Sequence, residues 1–335
     1  MIPNQWYVVL SSVQVNERPI GVTRMGEKLV FWRDAEGRVA CLRDQCVHRG
    51  VQLSKGVVLE SGHLQCPFHG FEYAADGRVT RIPANGMAAS VPERFRGLSY
   101  RTHEDHGFIW IWWGDVPPET LSQPRFFDDL ADGFSYGEAI DPWATHYSRG
   151  IENQLDVVHL PFVHYNTIGR GNRTLVDGPV VRWEDDDRFV FYVYNRVDDG
   201  TPPRRPEEIT PSPERDFRLG FIFPNLWQNY ISVDARVMAA FVPVDDENML
   251  LYLRFYQRFL RMPVLRDIVN RLSMPFNLVI AHQDRRVVET QLPKRSSLQT
   301  GEMLIQGDRP IVAYRKRRAE LLAQAGDVAS VAAKE

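Results

Sequence analysis

The stretch "CVHRGVQLSKGVVLESGHLQCPFHG", residues 46–70, holds two of the chain's three cysteines and three of its nine histidines. They form two short pairs, Cys46-Val47-His48 and Cys66-Pro67-Phe68-His69, with seventeen residues between His48 and Cys66. Three chemistries compete for such a pattern. A disulfide between the cysteines leaves both histidines unexplained. Zinc accepts two thiolates and two imidazoles, but its structural sites usually pair Cys with Cys and His with His. An iron–sulfur centre with two thiolates on one iron and two imidazoles on the other requires the mixed pairing. Gly50 and Gly70 follow the pairs and suit loops that wrap tightly.

Around this stretch the chain reads as short strands and turns. "KLVFWR" and "RVACLRD" flank Asp34-Ala35-Glu36-Gly37, and "FEYAADGRVTRIP" has Asp76-Gly77 at its centre, so both read as hairpins. Each Cys/His pair then falls at a hairpin tip. "FIWIWW" (108–113) is the most apolar run and has the length of a strand, and proline-rich "VPPETLSQP" (116–124) marks a boundary. From about Asp141 the pattern changes. "WATHYSRGIENQLDVVHL" has helical spacing that Pro161 interrupts, and "VVRWEDDDRFVFYVYNRV" reads as a hairpin before a proline-rich loop. "FRLGFIF", "LWQNYISV", "ARVMAAFVPV" and "MLLYLRFYQRF" alternate apolar and polar residues as antiparallel strands. A long helix, "VLRDIVNRLSMPFNLVIAHQDRRVVETQ", is predicted to kink near Pro275 and to be the last element before the tail. The predicted fold is α+β: an all-β domain over 1–115, a linker over 116–140, and a sheet wrapped on a long helix over 141–335.

Bulk properties narrow the function. A chain of 335 residues has room for two domains, and 44% hydrophobic with 25% charged residues is a soluble, globular composition. A net charge of −3 with interspersed signs argues against nucleic acid or an anionic membrane as the main partner. The N-terminal "MIPNQWYVVLSSVQV" lacks a secretory pattern, and no run approaches the roughly 20 apolar residues of a membrane helix. A cytoplasmic protein is expected.

The two pairs resemble the Rieske family, whose pattern is C-x-H, a spacer of about this length, then C-x-x-H. The resemblance implies a [2Fe–2S] cluster held by Cys46, His48, Cys66 and His69. Rieske proteins of the respiratory and photosynthetic complexes add two cysteines, and the corresponding places here are Val51 and Phe68. The cluster therefore looks like that of ring-hydroxylating oxygenases and their ferredoxins. Cys41 reads as a small buried apolar residue.

A ferredoxin of this kind would end near residue 115, yet the chain goes on and contains "ENQLDVVHLPFVH" (152–164). Asp156, His159 and His164 match the oxygenase pattern D-x-x-H-x-x-x-x-H, in which the histidines bind a mononuclear non-haem iron. Asp156 and His159 share a helix face. His159 and His164 are about 140° apart on a regular helix, so an unbroken helix could not aim both at one metal, and Pro161 supplies the break. Open-site iron(II) centres add one carboxylate. "AHQDRRVVETQ" resembles the segment that carries it, with Asp284 at the matching place and His282 and Glu289 as competitors. His103 and His106 read as exposed turn residues, His63 as a loop residue, and His146 as a neighbour of the iron helix.

The resemblance covers nearly the whole chain and implies a terminal oxygenase with a Rieske domain and a helix-grip (START/Bet v 1-like) catalytic domain. Asp156 matches the carboxylate that bridges a cluster histidine of one subunit and an iron histidine of the next in a head-to-tail homotrimer, and Asn153 matches an asparagine near the iron. The chain lacks a plant-type ferredoxin cysteine run and a G-x-G-x-x-G, since "GRGNRT" (169–174) has no third glycine. No flavin or NAD(P)H site is expected. A separate NAD(P)H-dependent reductase, with or without a ferredoxin, would supply electrons for attack of O2 on a small aromatic or cyclic substrate. The short chain looks like α-only enzymes that hydroxylate or oxidatively demethylate. The rival reading is a Rieske-type electron carrier without oxygenase activity.

Overall fold

A computed structural model describes residues 1–115, 122–130 and 133–332, with side chains as far as residue 326. Most of the proline-rich boundary at 116–124 lies outside the described residues. The chain divides into two compact units between Pro124 and Arg125.

The first unit is all β. Its strands are β1 (Gln5–Ser11), β2 (Ile20–Arg24), β3 (Glu27–Arg33), β4 (Val39–Arg43), β5 (Val57–Val58), β6 (Leu64–Gln65), β7 (Glu72–Tyr73), β8 (Val79–Arg81), β9 (Ser99–Tyr100), β10 (Thr102–Asp105) and β11 (Phe108–Trp113). They form three antiparallel sheets, ordered β1-β11-β10, β2-β3-β4-β9 and β5-β6-β7-β8. The β3–β4 hairpin turns where predicted. The Asp34 carboxylate accepts the N–H groups of Glu36 and Arg38, and Gly37 takes φ 78°. In the second hairpin Gly77 has φ 87°, and a Cβ there would lie 2.2 Å from the Gly97 carbonyl oxygen, so only glycine fits. Cys41 is fully buried in β4. His103 lies within β10 against Trp6 and Trp110, half-buried rather than in an exposed turn, whereas His106 does occupy the turn.

The second unit holds β12 (Ser135–Trp143), α1 (Tyr147–Leu155), α2 (Leu160–Val163), β13 (Leu175–Asp185), β14 (Arg188–Arg196), β15 (Arg218–Ile222), β16 (Leu226–Ser232), β17 (Ala235–Pro243), β18 (Met249–Gln257), α3 (Pro263–Val288) and α4 (Arg309–Ala332). Seven strands make one antiparallel sheet, β12-β18-β17-β16-β15-β14-β13. α3 packs on β12 and β18, α1 on β17, and α4 on β13. Gly137 permits the close approach of α3, because a Cβ there would meet the Asn270 carbonyl oxygen at 2.1 Å. This is the predicted sheet wrapped on a long helix.

Three local expectations change. The helical stretch ends at Asp156, five residues before Pro161, which instead opens α2. α3 continues as one helix through Pro275. It is not the last element, because α4 occupies much of the supposed tail. α4 contributes Arg315 to a buried ion cluster in which Glu152 accepts from Arg149 at 2.7 Å, from Arg315 at 2.6 and 3.0 Å, and from Ser296. Buried charges persist only when paired and hydrogen-bonded in this way.

Candidate metal centres

In the first unit the two Cys/His loops share one backbone design. The N–H of Cys46 donates to the Val51 carbonyl and that of Gly50 to the Cys46 carbonyl; Cys66, Phe71 and Gly70 repeat both bonds. Gly50 and Gly70 take φ 73° and 72°, the left-handed region each loop needs to close. Cys46 and Cys66 sink into the core formed by Trp32, Leu42, Leu53, Leu64 and Tyr73, while His48 and His69 stay exposed. The two Nδ1 atoms face each other at 3.1 Å, and His48 stacks on Phe71. Burial pushes the Cys66 thiol up, so a thiolate there needs a cation beside it. Two buried sulfurs and two facing imidazole nitrogens are the donor set of a Rieske cluster, and the residues fit it. Tyr73 donates its hydroxyl to Cys46 Sγ at 3.1 Å and accepts the Val47 N–H. Nothing in the local sequence marks Tyr73 for this place, since β7 alone brings it to the loop.

In the second unit the gap between α1 and α2 does what no continuous helix could. The Asp156 carboxylate accepts the N–H groups of Val158 (2.6 Å) and His159 (3.3 Å), which ends α1 and starts a new turn. His159 and His164 then flank α2 and converge with Asp284 of α3, their ligand atoms lying within 4.8 Å of one another. Asp284 Oδ1 is 3.0 Å from His164 Nε2 and 3.5 Å from His159 Nε2. His164 Nδ1–H donates to Gln283 at 2.8 Å, which leaves Nε2 with its lone pair free toward Asp284. Asn153 and Gln154 donate to the two Asp284 oxygens, each at 3.3 Å. A buried carboxylate facing two imidazoles is a facial donor set, and it fits a divalent iron.

The competitors point elsewhere. His282 pairs with Asp141 at 3.1 Å, and Glu289 accepts the Ala144 N–H. His146 is fully buried as the N-cap of α1 and does not line the cavity beside the His–His–Asp cluster. His63 is a loop residue bonded to Thr80. Asp156 lies 3.7 Å from His159 Nδ1. Its carboxyl is held low by His159 against the opposing effect of burial, and the imidazole is raised by Asp156 and Asp284 against the same effect. The cavity, about 340 Å³, runs from this cluster between α3 and the sheet. Gln283 and Gln154 were beyond sequence reasoning except as neighbours of Asp284 and Asn153.

A buried-thiolate, exposed-imidazole loop pair in one unit and a His–His–Asp cluster on a helix-grip fold in the other define an iron–sulfur protein with a second metal site. Residues 5–92 match the Rieske [2Fe-2S] domain, and residues 143–324, more than half of the chain, match the vanillate O-demethylase oxygenase C-terminal domain. The chain belongs to the Rieske non-haem iron oxygenase family. It is 35% identical over 199 residues to a vanillate O-demethylase oxygenase subunit of Pseudomonas sp. (strain HR199 / DSM 7063), covering 57% of this chain and 52% of the relative. It is 36% identical over 170 residues to a chlorophyllide a oxygenase of Chlamydomonas reinhardtii, covering 50% of this chain and 25% of that one. The matched stretch thus spans about half the length of the first relative and less of the second. Among solved structures, NdmA of Pseudomonas putida CBB5 superposes with a TM-score of 0.76 at 22% identity, over 96% of this chain and 94% of that one. Dicamba monooxygenase bound to dicamba gives 0.74 at 20%, over 98% and 99%. At such identities these two neighbours establish the fold.

Proposed function

We propose that the chain is the terminal oxygenase of a multicomponent system. It would use O2 and electrons from a separate NAD(P)H-dependent reductase, directly or through a ferredoxin, to hydroxylate or oxidatively demethylate a small aromatic or cyclic substrate. The observation that carries the reading is the convergence of His159, His164 and Asp284 at an apolar cavity, in a chain that also has a Rieske domain. In this reading Cys46, His48, Cys66 and His69 hold the [2Fe–2S] cluster in a domain over 1–115. His159, His164 and Asp284 hold the iron in a domain over 141–335, the residues between connecting them. When bound, the cluster supplies electrons singly and an open-site iron(II) supplies O2 activation.

The protein's own part is positional. Gln283 fixes the His164 tautomer, and Asn153 and Gln154 hold the Asp284 carboxylate in place. The apolar walls exclude water around the reacting carbon. Asp156 links the two kinds of centre between subunits of a homotrimer, a role supported by its contact with His159 and by the exposure of His48 and His69. A cytoplasmic location belongs to the same reading and is supported by three cysteines that form no disulfide. No helix among the described residues is long and apolar enough to cross a membrane.

Asp284→Ala tests the assignment. Mononuclear iron, by metal analysis, and substrate-dependent O2 uptake with a surrogate reductase should both be lost, while the visible spectrum of the cluster stays. Wild-type uptake in this variant would refute Asp284 as the iron ligand, and an absence of substrate-dependent uptake in the wild type would return the chain to the electron carriers.

A further inference from the structure

The cavity is apolar around a single ionic cluster. Among the described residues lining it, the ionisable side chains are Asp156, His159, His164 and Asp284, with no lysine or arginine. A divalent ion at the His–His–Asp cluster would be matched in charge by the two aspartates alone. An entering charge of either sign would therefore lose its hydration and find no partner. Gln154 donates to Asn153 and Asp284, and the Ser273 hydroxyl to the Asn270 carbonyl. The remaining amides of the lining, Asn229 and Asn277, are uncharged. Arg170 and Arg173 line an adjoining cleft that shares Leu160 and Ile168 with this cavity, but neither lines the cavity itself.

The entrance has the same character. Ile168, Phe217, Ile231 and Phe276 line the cavity and are also 51, 42, 49 and 55% exposed, so they stand where it meets solvent. They come from four places in the second unit: the loop after α2, the segment before β15, β16 and α3. Exposed apolar side chains scattered singly mean little, but four gathered at one opening mark a surface that an apolar ligand crosses. At about 340 Å³ the cavity lies at the lower end of the roughly 300–1,000 Å³ of small-molecule sites, which suits a compound of about two fused rings.

We propose that this cavity takes uncharged, lipophilic compounds of about two fused rings and rejects their carboxylate and ammonium counterparts. The proposal rests on the oxygenase reading only for calling the occupant a substrate. Its test is binding, measured by calorimetry on the holoprotein at pH 7.5, of a methoxynaphthalene, its carboxylate and its aminomethyl derivative, alike in ring and methoxy position. The neutral compound should bind about tenfold or more tighter than either ion, a difference of about 1.4 kcal/mol. Ile231→Lys places a cation at the exposed entrance and should shift the ratio of the two affinities about fivefold toward the carboxylate. Phe276→Ser removes apolar surface from the same entrance and should weaken the neutral compound about fivefold. Equal or tighter binding of either ion, no binding of the neutral compound, or wild-type affinities for all three compounds in both variants overturns the proposal. O2 uptake is scored separately. The expected order of binding with no O2 uptake would count against the oxygenase reading and leave the charge preference standing. Uptake together with tighter binding of an ion would do the reverse.

Discussion

His146 shows how one side chain couples the fold to pH. It is fully buried, its Nδ1 caps α1 through the Ser148 N–H, and burial with Arg318, Arg295 and Arg149 nearby pushes it down to about 3. In the unfolded chain a histidine titrates near 6.5. As pH falls below that value the unfolded state takes up a proton that the folded state refuses. Stability is thus complete above about pH 6.5 and falls toward pH 3, by at most about 1.4 kcal/mol per pH unit from this residue. Asn in its place keeps a capping acceptor and removes the titration. Urea midpoints between pH 4.5 and 7.5 should therefore depend less steeply on pH in His146→Asn than in the wild type. Asp284 is the second residue on which much turns, since both His159 and His164 face its single Oδ1.

At the scale of elements, the interruption between α1 and α2 makes the site. The return loop after His164 is held tightly: the Gly169 N–H donates to the His164 carbonyl, and a Cβ at Gly169 would lie 1.9 Å from the Leu160 carbonyl oxygen. Gly169→Ala must displace backbone that carries His164. We expect iron content to fall at least about tenfold, or stability by about 1–3 kcal/mol, with the cluster spectrum intact; metal analysis and denaturation distinguish the two. Sequence made much of this legible. Scarce residues in fixed spacing marked the two Cys/His loops and the histidines, and alternation marked the strands of the second sheet. The break at Asp156 was misplaced because proline is the louder signal, whereas a carboxylate accepting two N–H groups leaves only an aspartate to read. α4 escaped because its buried face is half charged: Ile311, Tyr314 and Leu321 alternate with buried Arg315 and Arg318, which blurs an apolar stripe. Asn229 and Ile231 could be placed on one strand face, but only the folded sheet tells which face encloses a cavity.

For the whole molecule, the sulfurs of Cys46 and Cys66 lie inward and the imidazoles of His48 and His69 outward, which in the proposed reading would put the edge of the cluster where another subunit could reach it. Subunit crossing of electrons can be tested by mixing. Cys46→Ser, lacking the cluster, and Asp284→Ala, lacking the iron, should each be inactive alone. Co-expressed in equal amounts in a head-to-tail ring, about one quarter of the sites would pair an intact iron with a neighbouring intact cluster. O2 uptake near that fraction of wild type supports transfer between subunits, and none at all refutes it. The burial of Cys41 has a practical consequence. Burial raises its thiol well above the ordinary value, so it should be silent toward a thiol-reactive dye while the chain stays folded. The other two cysteines are spoken for when the cluster is present. Cys46 and Cys66 are buried as well, so dye uptake by a native preparation would report opening of the two loops once the cluster has gone, a signal independent of colour and turnover.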